Sequence, residues 1–146
     1  MAFNHRALLL GLACAAGGPP ADGTAQTSTP PDSAAEKSVL AGVYTTAQAR
    51  SGEAVFRGVC ADCHALTQFQ DSNFLRPWEG RAARDLFESI RTQMPQDNPG
   101  HLRRDEYAAV LAFIFELNGF PASDSTLGTT DAALRRVRIE RKLPRP

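Results

Sequence analysis

The chain has 146 residues, 42% of them hydrophobic, and its 16 basic and 16 acidic side chains cancel to a formal net charge of zero. That length accommodates one small domain with tails and excludes a second domain of ordinary size. Three cysteines are an odd number for a disulfide framework, so the cysteines need another account.

The N-terminus reads as a secretory signal over residues 1–16. His5 and Arg6 precede an apolar run from Ala7 to Ala16, which gives way to Gly17-Gly18-Pro19-Pro20. A run of about ten residues is too short to anchor stably across a bilayer. The chain is therefore expected in a periplasmic or other extracytoplasmic compartment. Cys14 closes the apolar run after Leu10-Gly11-Leu12-Ala13, which resembles the lipobox of bacterial lipoproteins, although Gly11 stands where an apolar side chain is usual. Two outcomes stand open: Cys14 carries a lipid, or cleavage beyond it, for instance after Ala25, discards it. From Gly17 to Ser38 the sequence is Gly, Pro, Ala, Ser and Thr with scattered charge. Such a segment cannot bury enough surface to offset its ordering entropy, so residues 17–42 are expected to be a flexible, disordered linker. The stretch up to Ser38 has a root-mean-square reach of about 25 Å.

Next in the chain, Thr45 and Gln48 form a capping-box pair, and Ala49, Gly52, Phe56 and Val59 recur at helical intervals. This predicts a first helix over residues 46–58 that delivers Cys60 at its end. Cys60-Ala61-Asp62-Cys63-His64 follows. Two thiols so spaced can each add across one vinyl group of a haem, and the next imidazole is then held beside the iron. A structural zinc site needs four ligands, and outside the motif the only further Cys or His residues are Cys14, His5 and His101. A thioredoxin-like dithiol sits at a strand–helix junction, and no strand signal precedes Val59. The motif thus reads as attachment of one haem c, with Cys60 and Cys63 as covalent thioethers and His64 as the proximal iron ligand.

Ala83, Leu86, Phe87 and Ile90 mark a second helix ending near Thr92, closed by Met94-Pro95, where the proline disfavours helical geometry for the methionine. Met94 is the only methionine left once Met1 is removed with the signal. It stands in a non-helical stretch stiffened by Pro95 and Pro99, from which its thioether can reach the distal face of the iron. Met opposite His raises the reduction potential relative to two imidazoles. His101, in the same loop, is the rival ligand. With neither bound, an open distal face would favour small-ligand binding or peroxidase chemistry.

Tyr107, Val110, Leu111, Ile114 and Leu117 mark a third helix over residues 104–118, with Asp105 and Glu106 in its first turn and Gly119 as terminator. Three short helices make a thin core without a staple. A covalent haem would supply one, packed against Val59, Leu66, Phe69, Phe74, Leu75, Leu86 and Ile90.

The remaining residues, 122–146, form a basic extension. Residues 43–120 hold eight basic and ten acidic side chains, whereas residues 131–146 hold six and two. Asp131 could cap a short helix with Leu134 and Val137 inward, while Val137-Arg138-Ile139 equally reads as a strand. The extension is either a docking patch for an acidic partner or anionic lipid heads, or a solvated tail packed loosely on the domain. Nucleic acid does not suit an exported chain.

With these motifs in place, residues 45–122 resemble the class I, monohaem bacterial cytochromes c, on Cys60-Ala61-Asp62-Cys63-His64, Met94-Pro95 and the closing Phe113-Ile114-Phe115-Glu116-Leu117-Asn118-Gly119-Phe120-Pro121. The resemblance implies an all-α fold: a small domain over residues 43–121, with three or more short helices around a covalently attached haem c. It also implies that the first and last helices cross closely, Gly52 and Phe56 meeting Phe113. A backbone carbonyl near Pro77 would receive the His64 N–H, and Trp78 would hydrogen-bond a haem propionate. Arg103 departs from the family, which has a Ser, Thr or Asp cap there. The implied function is single-electron transfer through a His64/Met94-ligated haem, not enzymatic catalysis, since no catalytic constellation accompanies the motif. Partners would be redox proteins such as a periplasmic dehydrogenase, suggested by the Leu-Asn-Gly-Phe-Pro ending, or a terminal oxidase. The membrane would be reached only through Cys14 or the basic extension. Two other readings are a haem enzyme or sensor with an exchangeable distal ligand, and a dedicated subunit of a dehydrogenase.

Overall fold

A computed structural model describes residues 35–70 and 72–141. The expected signal segment, Cys14 and most of the expected linker lie outside the described residues. The architecture is mostly helical, as the sequence predicts, with one very short strand pair.

Helix α1 spans Thr46–Val55, and the Thr45 hydroxyl accepts the Gln48 N–H at 3.1 Å, leaving one fewer unsatisfied donor in the first turn. The helix does not stop near Gly58. It runs on as a π-helical turn, Phe56–Cys60, closed by the Ala61 N–H to the Phe56 carbonyl at 2.9 Å. Such turns are uncommon and concentrate at functional sites. Here the wider turn carries the helix directly into the cysteine motif. A 3-10 turn over Leu66–Phe69, a short helix α2 (Ser72–Leu75) and a 3-10 turn over Arg76–Trp78 then lead to α3 (Ala83–Gln93).

Helix α4 (Arg104–Leu117) is the central element, with every residue from Tyr107 to Phe115 buried. A helix apolar all round must be covered on several sides, and α1 and α3 both pack on it. The crossing with α1 depends on Gly52. A Cβ placed there would lie 1.8 Å from the Ala109 carbonyl oxygen, so the two backbones touch. One turn on, Phe56 and Phe113 meet with ring centroids 5.7 Å apart. The expected close crossing is present in divided form: Gly52 faces backbone, and the aromatic pair is Phe56 with Phe113.

Both ends of α4 are satisfied. Arg103 supplies no conventional cap, but its N–H donates to the Glu106 carboxylate at 2.8 Å, so the acidic half of a capping box covers for it. At the far end Gly119 takes φ 71°, its N–H donates to Glu116 O at 2.9 Å and the Phe120 N–H to Phe115 O at 3.1 Å. This pair of bonds makes a Schellman stop, which needs the left-handed conformation glycine tolerates.

The folded body exceeds the expected 43–121 at both ends. Lys37–Ser38 forms β1, Val39 is fully buried, and the C-terminal extension supplies helix α5 (Asp131–Arg135) and strand β2 (Val137–Arg138). β1 and β2 pair in parallel, Lys37 with Val137 and Ser38 with Arg138. Leu127, Leu134, Val137 and Ile139 are core residues, so the extension is neither loosely packed nor free to offer all its cations to a partner. Both secondary-structure readings of it hold in succession, helix first and then strand, and the helix cap is the Thr130 hydroxyl rather than Asp131. Arg138 pairs with Glu36 at 2.7 Å and Arg141 with Glu79 at 2.8 Å. Residues 37–42 leave the expected linker because Val39 has apolar neighbours in this same core.

Candidate functional site

The cysteine motif follows the π turn as a tight turn, with the Cys63 and His64 N–H groups both donating to the Cys60 carbonyl, at 3.2 and 2.9 Å. Cys60 and Cys63 are free thiols, Cys63 exposed and Cys60 half-buried, and burial pushes the Cys60 thiol up. Neither is committed to a disulfide, so both sulfurs are available for thioether formation.

His64 is oriented from two sides. Its ring meets Phe69 edge-on at 5.5 Å between centroids, and Phe69 in turn packs on Phe56 at 5.4 Å and Phe74 at 5.0 Å. Its Nδ1 lies 3.1 Å from Gln68 Oε1. An amide oxygen only accepts, so this contact suits the tautomer with the proton on Nδ1, the one that turns Nε2 to a metal. The partner expected from the resemblance was a carbonyl near Pro77. Pro77 is exposed, and the Gln68 side chain takes that place in this structure.

Across the molecule, Met94 ends α3, its N–H donating to Ile90 O at 2.9 Å. The Tyr107 hydroxyl, reaching from the buried face of α4, donates to Met94 O at 2.8 Å. The methionine is thus fixed by backbone bonds on both sides, and the Met94-Pro95 peptide is cis. His101 is exposed, with Nδ1 3.0 Å from Asn98 O.

Cys60, Cys63, His64 and Met94 line one cavity of about 820 Å³. His101 is not among its lining residues. The walls are mostly apolar: Phe56 and Val59 from α1 and its π turn, Phe69 and Phe74, Leu86 and Ile90 from α3, Val110 and Ile114 from α4, with Trp78 beside them. Polar groups, Asp62, Ser89, Gln93, Gln96 and Asp97, complete the lining. Of the seven residues expected against a haem, Val59, Phe69, Phe74, Leu86 and Ile90 line the cavity. Leu66 packs against the cluster of Phe56, Val110, Phe113 and Ile114 instead, and Leu75 lines a separate, smaller cleft.

Three contributors escaped the sequence. Gln68 and Tyr107 position the two candidate ligands, and Asn118 donates to Phe69 O at 2.7 Å, tying the end of α4 to the turn beneath His64. For Gln68 the usable signal was its spacing, four residues beyond His64. Tyr107 reads as a core residue until its hydroxyl is followed to Met94.

A family model described as cytochrome C oxidase, cbb3-type, subunit III matches residues 47–114, a span that holds the cysteine motif, α3, Met94 and most of α4. The chain carries a cytochrome c domain of the monohaem, class I-like kind. No curated protein and no solved structure matches the chain. A cytochrome c domain implies haem c. The cavity fits that group: its volume lies within the range of small-molecule and cofactor sites, its walls suit a flat apolar ring, and an imidazole and a thioether are the donor types haem iron accepts. Among the described residues no cluster of three His, Cys, Asp or Glu side chains could hold a metal ion directly. One imidazole and one thioether lining a cavity suit a metal brought in by a macrocycle. Cytochrome c domains are usually extracytoplasmic, and no described helix is long and apolar enough to cross a membrane.

Proposed function

We propose that this cytochrome c domain is a single-electron carrier holding one haem c, with Cys60 and Cys63 as the thioethers and His64 and Met94 as the axial ligands. The observation that carries the proposal is the convergence of these four side chains on one cavity, with His64 Nδ1 set 3.1 Å from the Gln68 amide oxygen. When bound, the haem supplies a one-electron ferrous–ferric couple. The protein's part is to orient the imidazole through Gln68, to hold Met94 through Tyr107 and to exclude water with the α1, α3 and α4 walls. Held by both His64 and Met94, a haem iron would keep no position open to substrate, which would separate a carrier from an enzyme or sensor with an exchangeable ligand.

The partner we favour is a terminal oxidase complex, because the matching family is named for an oxidase subunit. We also infer export through residues 1–16, with the linker acting as a tether beyond the folded body. If Cys14 bears a lipid, Cys14→Ser releases the protein from the membrane fraction.

The axial assignment is tested with Met94→Ala in the holoprotein. The variant should lose the Met-to-ferric-iron charge-transfer band, bind carbon monoxide readily when reduced, and show a lower potential. A spectrum unchanged from wild type would remove Met94 from the site.

A further inference from the structure

We propose that residues 138–141, at the C-terminal end of the described chain and outside the family match, are a positioning strap for the haem-cavity wall at Trp78. Trp78 lines the cavity, and the turn that follows it, Glu79-Gly80-Arg81, lies outside every helix and strand. The strap meets each residue of that turn. The Gly80 N–H donates to Ile139 O at 2.8 Å, and the Ile139 N–H donates to Arg81 O at 2.9 Å. Arg138 Nη1 donates to Gly80 O at 3.1 Å. Arg141 grips Glu79 with two donors, Nε to Oε1 at 2.8 Å and Nη2 to Oε2 at 2.9 Å. Ile139 is fully buried, which fixes the strap itself.

These contacts use both backbone polar groups of Gly80, whose φ of 73° already commits the turn to an unusual conformation. Arg81 sits with its guanidinium 4.8 Å from the centroid of the Trp78 ring, so a residue the strap holds also packs on the wall residue itself. The other end of Arg138 is tied to Glu36 next to β1. The strap therefore joins the N-terminal edge of the described fold, beside β1, to the wall of the cavity. Burial and hydrogen bonding around a haem tune its potential. A segment that sets Trp78 in place thus tunes the couple without touching the iron.

This inference rests on the reading of the cavity as a haem site. Trp78 is the only tryptophan in the chain, and a nearby haem quenches indole fluorescence by energy transfer, so its emission reports the distance between wall and haem. The test compares wild-type holoprotein with Arg141→Glu, Glu79→Arg and the charge-swapped double variant, reading Trp78 emission and reduction potential in each. Each single variant, which places like charges together, should raise the emission and shift the potential, and the swapped pair should return both towards wild type. Single variants with wild-type emission and potential, or a double variant no closer to wild type than the singles, would overturn the strap. Wild-type protein that takes up no haem would instead overturn the reading of the cavity.

Discussion

The chemistry of His64 depends on which ring nitrogen keeps its proton, and a neutral amide oxygen decides it. Gln68 accepts from Nδ1 and so gives the imidazole partial negative character, which favours the ferric state of a metal on Nε2. Gln68→Leu should therefore raise the reduction potential. Losing one neutral hydrogen bond is worth about 1 kcal/mol, or roughly 40 mV for a one-electron couple, measurable by redox titration. Gln68→Glu should shift it the opposite way. A potential unmoved by either change would mean that the imidazole takes its partner elsewhere. That His64 and Met94 are candidate ligands was legible in the sequence because both signals are local: an attachment motif of adjacent residues, and a methionine pinned before a proline. Their supports were not, since Gln68 and Tyr107 act by side-chain reach across turns and helices, which spacing alone does not display.

At the scale of elements, the crossing of α1 and α4 is the contact with least tolerance. Gly52→Ala puts a methyl group where the Ala109 carbonyl already stands, and both backbones belong to helices that cannot yield singly. The cost should reach about 3 kcal/mol or more, the upper range for overpacking. It should appear as a lower midpoint in thermal unfolding, with a larger effect than Ala54→Gly on the exposed face of the same helix. The three main helices were foreseen because their apolar residues recur at helical spacing over eight or more positions. Strand β1 was not, because it has two residues and takes its identity from a partner about a hundred positions away. The mixed period from Leu134 to Ile139 looked undecided for a physical reason: the chain changes from helix to strand inside it.

For the whole molecule, the core joins ends that the sequence shows as tails. Within the expected domain, Tyr44 lies buried in the same core, its hydroxyl donating to Phe120 O at 2.6 Å beyond the end of α4. Burial, with Glu116 adding to it, pushes the phenol from 10.0 up to about 12. The folded state thus prefers the protonated phenol more than the unfolded state does. That preference is whole below pH 10 and is lost as the pH rises from about 10 to 12. Denaturant midpoints should fall through this window in wild type and fall less in Tyr44→Phe, despite the lost hydrogen bond. Equal slopes would show that other groups govern alkaline unfolding.

The central claim concerns the cavity and what fills it, and absorbance spectra of the purified protein in both redox states, with its intact mass under denaturing conditions, address it most directly. The purified protein should show a mass increased by one haem that survives denaturation, a low-spin six-coordinate spectrum, and a Met-to-iron charge-transfer band in the ferric form. A protein without covalent haem, or one whose ferric spectrum is high-spin or bis-imidazole, would contradict it.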